Sequence, residues 1–214
     1  MRRFTILAIF AVVLWGLLFN LSYGDVNVGL TVDEDGIKEF HLSIGSHYGI
    51  KQVEVEKVRR RSLPDDEVAV VLFISNRAGV LPIMIADLRH SGLSWMDITF
   101  KLGLTAEIYY VAFQSDPGPP YGNAYGHYKN SPKGKWGKIK LVDADIINLV
   151  NLKVLAETHN YSPEKIVKLR KSGKPFAKIN TDLKKARAEK QKRKDESQKA
   201  AGGKSESQKG KDKK

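Results

Sequence analysis

An all-α domain of three helix-turn-helix-like helical-hairpin repeats packed together is the fold class this sequence predicts. A long Gly/Pro/Tyr loop interrupts the repeats, and a disordered basic tail comes after them. Three observations carry this. The stretch Ile74–Ile98, ISNRAGVLPIMIADLRHSGLSWMDI, has the outline of two helices joined at Gly79-Val80, a stop at Gly92 and the start of a third helix. The outline recurs in other parts of the chain. Moving the register by 30 residues places Ile44, Gly49, Ile50, Val55, Val58, Arg59 and Leu63 on Ile74, Gly79, Val80, Ile85, Leu88, Arg89 and Leu93. Moving it by 81 places Leu155, Pro163, Ile166, Leu169, Arg170, Gly173 and Phe176 on Ile74, Pro82, Ile85, Leu88, Arg89, Gly92 and Trp95. Self-similarity of this kind decides an architecture before residue-level reasoning begins. Within each copy the apolar spacing, as in Ile85/Leu88 and Ile166/Leu169, follows the helical period rather than the alternation of a strand.

Residues 1–24 open with Arg2-Arg3, continue as the apolar run Ile6–Phe19 and end on Ser22-Tyr23-Gly24. That is the three-part layout of a secretory signal peptide cut before Asp25. If it stayed uncleaved, the same run would be an anchor at the lower edge of what spans a bilayer. Residues 25–36 read as an acidic linker. Asp33-Glu34-Asp35-Gly36 lacks the terminal carboxylates of a calcium loop and reads as a solvated turn.

Residues 37–183 form the repeat domain, with copies at about 40–68, 70–98 and 150–179. Pro64 and the acids Asp65, Asp66 and Glu67 fit a helix's first turn, where the missing N–H costs nothing and the macrodipole favours negative charge. The run Val68–Ile74 behind them is apolar on all sides and predicts the most buried helix. Pro82 and Pro163 open second helices, Gly92 and Gly173 close them, and Ser94-x-x-Asp97 reads as a capping box. A fourth copy starting at Gly103-Leu104 is not counted, because the run IYYVAF reads equally as a strand. Asp143 and Asp145 mark the helix start of the last copy, in which Asn148 and Asn151 share a face.

Between the repeats, residues 115–140 read SDPGPPYGNAYGHYKNSPKGKWGKIK. A connection of this length is either a contact surface or an Ω-loop packed onto its own scaffold. On the first reading Tyr121, Tyr125, His127, Tyr128 and Trp136 are the partner-contact residues, since rigid aromatics on an adaptable backbone suit that task.

The chain has 214 residues, no cysteine and a formal charge of +12. Disulfides, thiolate metal sites and cysteine nucleophiles are thereby excluded. The basicity sits at the ends: residues 184–214 hold thirteen Lys/Arg against five Asp/Glu, Arg2 and Arg3 add two, and the body 25–183 carries +2. The tail has no aromatic residue and cannot bury enough apolar surface to fold alone, so a helix fraying near Lys194 and disorder beyond it are expected. It is either a solubilising tail or a polyanion contact through Lys190, Lys192, Arg193 and Lys194.

No residue set predicts a catalytic centre, a metal site or a cofactor. His41, His47, His90, His127 and His159 show no ligand spacing, and P-loop and nucleophile-elbow motifs are missing. Arg59, Arg89 and Arg170 recur at one register and read as helix-end caps or ion-pair partners, with a shared ligand role as the alternative. The expected function is an exported, non-catalytic binding or structural protein of the bacterial cell envelope, periplasmic or secreted. Its expected partners are an envelope polymer, anionic lipid or another envelope protein. The alternative is a membrane-anchored, helix-turn-helix-like nucleic-acid binder, against which the near-neutral body and second helices without a basic stripe weigh. A third class, an enzyme acting on wall glycans, needs two carboxylates in a groove beside the aromatic loop.

Overall fold

Every regular element among the described residues is a helix. The computed structural model describes residues 32–209, with side chains to residue 198. The helices are α1 (Glu34–His47), α2 (Gln52–Arg59), α3 (Asp65–Ala78), α4 (Pro82–His90), α5 (Trp95–Lys101), α6 (Gly122–Lys129), α7 (Asp143–His159), α8 (Pro163–Lys171) and α9 (Phe176–Lys209). Two short 3-10 segments, Ala106–Tyr109 and Lys133–Lys138, lie between α5 and α7. The expected signal segment, residues 1–24, and residues 25–31 of the expected linker lie outside the described residues.

The acidic linker is shorter than the sequence suggests. Asp33 caps α1, its side chain accepting the Gly36 N–H at 2.8 Å, so Glu34 onward is already helical. Aspartate at this position satisfies an N–H that has no partner inside the helix. The capping box of α5 forms as expected: the Ser94 hydroxyl accepts from Asp97 N–H at 3.1 Å, and Asp97 accepts from Ser94 N–H at 3.3 Å.

The turn closing α3 is made by Gly79 at φ +68, with Val80 N–H donating back to Ser75 O at 3.2 Å. The turn after α1 repeats it, with Gly49 at φ +67 and Ile50 N–H on Gly45 O at 2.8 Å. The turn after α7 does so with a non-glycine residue, Asn160 at φ +55, and Tyr161 N–H on Ala156 O at 3.0 Å. Asparagine tolerates the left-handed region better than other side chains do. Gly103 closes α5 the same way, at φ +71 with Leu104 N–H on Thr99 O at 3.0 Å. The chain then enters the 3-10 turn Ala106–Tyr109 and an extended stretch, forming neither a strand nor a further hairpin.

Helix α3 is the centre. Val68 through Ile74 are 0–2% exposed, and α1, α2, α4 and α7 surround them, with α7 crossing most extensively. Phe73 meets Tyr48 and Tyr109 edge-on or tilted, with ring centroids 6.2 and 5.8 Å apart. Asn151, fully buried on α7, donates to Asp66 O on α3 at 2.8 Å, which explains a polar residue inside that apolar helix.

Arg89 ties the helix ends together. Its Nε and Nη2 take both oxygens of Glu67 at 2.8 and 2.7 Å, and its Nη1 reaches Asp143 at 2.6 Å and Leu93 O at 3.0 Å. The guanidinium lies 4.8 Å from the Trp95 ring, and Asp143 also accepts the Trp95 N–H at 2.8 Å. One side chain therefore joins α3, α4, α5 and α7. The hydrogen bonds to Glu67 hold the guanidinium pKa above its ordinary value despite partial burial.

The tail departs from expectation: α9 continues past Lys194 to Lys209 as one helix. The composition of this segment is rich in Lys, Glu, Gln and Ala, all strong helix formers, and Phe176, Ile179 and Leu183 anchor its first turns in the core.

Removing Arg89 leaves Glu67, whose side chain is 10% exposed, as an uncompensated charge. Arg89→Gln is expected to lower the urea-unfolding free energy by about 3 kcal/mol. Arg59→Gln, which removes one hydrogen-bonded pair to Glu56 on its own helix and a longer contact to Glu34, should cost less than Arg89→Gln. Equal losses in the two variants would show that Arg89 holds nothing special together.

Candidate functional site

The three register arginines reach different surroundings. Arg59 pairs with Glu56 at 3.0 Å and Glu34 at 3.8 Å. Arg89 is the tie between four helices. Arg170, on α8, donates from Nη1 to Lys174 O at 2.7 Å and lies 4.6 Å from the Phe176 ring. Arg89 and Arg170 share two contacts: a carbonyl four residues on and an aromatic ring six residues on. Arg89 alone adds carboxylates.

The aromatic loop is mostly folded inward, and for three of its five residues the burial follows the Ω-loop alternative and not the contact-surface one. Tyr121 and Tyr128 are 1% and 3% exposed. Tyr128 donates to Ala106 O at 2.6 Å, and the Trp136 Nε1–H donates to Tyr128 O and Ser131 O at 3.1 and 2.9 Å. Trp136 also packs on Tyr110, with centroids 4.3 Å apart. These side chains clamp the loop to the extended segment after Ala106–Tyr109 and offer a partner little surface. Tyr125 is half-buried, 6.0 Å from Phe113, with the Lys129 ammonium 5.6 Å over its ring. His127 is exposed.

The sequence reading missed Lys153. It sits half-buried in α7 between the buried Leu152 and Val154, and its ammonium donates to Ile108 O and Tyr110 O at 3.1 Å each. Burial depresses its pKa. Beside it runs a groove of about 420 Å³ walled by Tyr110, Val111, Ala156, Tyr161 and Pro163, with Glu157 at its rim. Glu157 accepts from Tyr48 at 3.3 Å and faces His47 Nε2 at 3.5 Å. The available signal was a lysine inside the apolar run Leu149–Ala156. The geometry makes Lys153 a brace that holds the extended segment on α7 and sets one cation in an apolar groove. Among the described residues no group of three His, Asp or Glu side chains converges as a metal would require.

The tail residues Lys190, Lys192, Arg193 and Lys194 are all exposed on α9. At 100° per residue, Arg187, Lys190 and Lys194 share one face. None of the three pairs with a carboxylate among the described residues, whereas Lys184 is held by Glu39 at 2.6 Å. Comparison with protein-family models, with curated proteins and with solved structures gives no match to this chain.

Two histidines are buried rather than exposed. His41 Nε2 donates to Asp65 O at 2.9 Å, and His159 Nε2 pairs with Asn180 Oδ1 at 2.9 Å. Desolvation depresses both below the ordinary 6.5, because the imidazolium loses hydration inside the protein. The unfolded chain then binds protons more readily, so this stabilisation is complete above that value and is lost as pH falls from it towards the folded-state pKa. Acidification from about pH 7 to about pH 5.5 is expected to lower the urea midpoint, and less so in a His41→Gln/His159→Gln double variant. An unchanged slope in that variant would assign the acid sensitivity to other groups.

Proposed function

We propose that this chain is a non-catalytic binding protein of the bacterial cell envelope, built on three copies of one helical hairpin and gripping an anionic lipid or polymer surface with the cationic face of α9. The observation that carries the reading is that face: Arg187, Lys190 and Lys194 are exposed, aligned and unpaired among the described residues. Long cationic side chains on an exposed helix are what a polyanion recruits, and their worth falls with salt. The hairpin copies are supported by the matching turns at Gly49, Gly79 and Asn160 and by the shared contacts of Arg89 and Arg170. Export rests on the layout of residues 1–24. No helix of the described residues is long and apolar enough to cross a membrane. In this reading the aromatic loop is chiefly a structural clamp, and only Tyr125 and His127 remain as loop contacts.

A second reading, a nucleic-acid binder, gains one observation. The sequence reading gave the second helices no basic stripe, yet on α8 Lys165, Lys168 and Lys171 are all exposed and fall on one side of the helix. The Lys165 ammonium lies 3.6 Å from the Tyr161 ring centroid. A phosphate backbone would be contacted by α8 here, and the salt slope of binding would report those lysines.

The two readings separate by charge reversal in the full chain. Arg187→Glu/Lys190→Glu/Lys194→Glu is expected to weaken binding to vesicles containing anionic lipid by at least about a hundredfold at low salt, taking roughly 1 kcal/mol per lost cation. Lys165→Glu/Lys168→Glu/Lys171→Glu should leave it nearly intact. Duplex binding that collapses only in the α8 variant would reverse the order. N-terminal sequencing of the protein from cell fractions tests export: a soluble chain starting at Asp25 supports it, and an intact Met1 in the membrane fraction supports an anchor.

A further inference from the structure

The two equivalent arginines differ in what balances their charge, and the difference marks a site. Around Arg89 the protein supplies its own anion: Glu67 seats both carboxylate oxygens on Nε and Nη2, at 2.8 and 2.7 Å. The residue at the Glu67 register in the last hairpin is Asn148, 81 positions on, and its amide donates to Ala144 O at 2.8 Å. Arg170 keeps the carbonyl and ring contacts of Arg89, and these hold its guanidinium plane. Among the described residues no carboxylate stands within ion-pair distance of it, and its Nε and Nη2 have no hydrogen-bond partner.

Two buried polar groups elsewhere on these elements also lack partners. The Tyr121 hydroxyl, on a residue 1% exposed, and the Asn151 Oδ1, on one fully buried, are unpaired, and Asn151 is tied to Asp66 O at 2.8 Å. Burial raises the pKa of the Tyr121 hydroxyl, and the charges of Arg170 and Asp66 act on it in opposite directions. Asp66 also lines a groove of about 440 Å³ with Ile37, Pro64, Pro175 and Ala177, beside the Lys174–Phe176 segment that holds Arg170. Burial raises the pKa of the Asp66 carboxyl, and the charge of Arg170 opposes that rise.

We propose that Arg170 is a ligand site for a small carboxylate, which docks on Nε and Nη2 as Glu67 docks on Arg89, with the Tyr121 hydroxyl as a further donor. The planar two-point fork of a guanidinium matches a carboxylate, and the protein's own use of that geometry at Arg89 identifies the ligand chemistry. The site is separate from the cationic face of α9.

Acetate is the probe, titrated into the full chain against chloride at matched ionic strength, with the Arg170 Nε–H resonance as the readout. A saturable shift with acetate and none with chloride is expected. Asn148→Glu places a carboxylate at the Glu67 register: it should raise the melting temperature by about 2–4 °C and abolish the acetate response. Tyr121→Phe should keep the melting temperature and weaken acetate several-fold. An acetate response that is unsaturable, equalled by chloride, or unchanged in both variants overturns the site.

Discussion

A helix that is apolar on every side imposes the architecture. Val68–Ile74 of α3 has no face that water could tolerate, so the chain must cover the whole cylinder. Each hairpin brings only an apolar stripe, and no single one suffices. α1, α2, α4 and α7 close around α3 from different directions, and α7 lies furthest from it in sequence. That packing brings the first turns of α3, α5 and α7 beside the last turn of α4, where the acids Glu67 and Asp143 need a counter-charge. Arg89 supplies it. Its fork, its stacking on Trp95 and its reach to Asp143 turn four helix ends into one joint.

The parts of this fold that were legible in the sequence are those governed by local chemistry. Pro82 and Pro163 at helix starts, Gly79 and Gly92 at stops and the Ser94–Asp97 box depend on neighbours within a few residues. The same holds for the placement of Val68–Ile74 at the centre. Where partners are far apart in sequence, the reading failed. Tyr128 and Trp136 belong to a loop whose Gly, Pro and aromatic content fits a contact surface and an inward clamp equally well; the Ala106 carbonyl and the Tyr110 ring decide between them. Lys153 takes its role from two carbonyls more than forty positions earlier. The boundary of α9 was misplaced because low apolar content argued for disorder, while helix-forming residues anchored at Phe176 and Ile179 carry the helix onward.

The arginine register shows how similar local sequence can serve different ends. Arg89 and Arg170 are placed alike by their own helices, stacked on the ring six residues on and bonded to the carbonyl four residues on. What separates them lies on the preceding helix, where Glu67 has become Asn148. A carboxylate there makes the arginine structural, because a buried pair must be kept whole to be tolerated. An amide leaves the same cation oriented, partly desolvated and uncompensated by its own hairpin. The orientation follows from the hairpin's geometry, which the core requires in any case. Arg89 also holds Asp143, for which Arg170 has no counterpart among the described residues, so a carboxylate at position 148 would restore the Glu67 half of the joint alone.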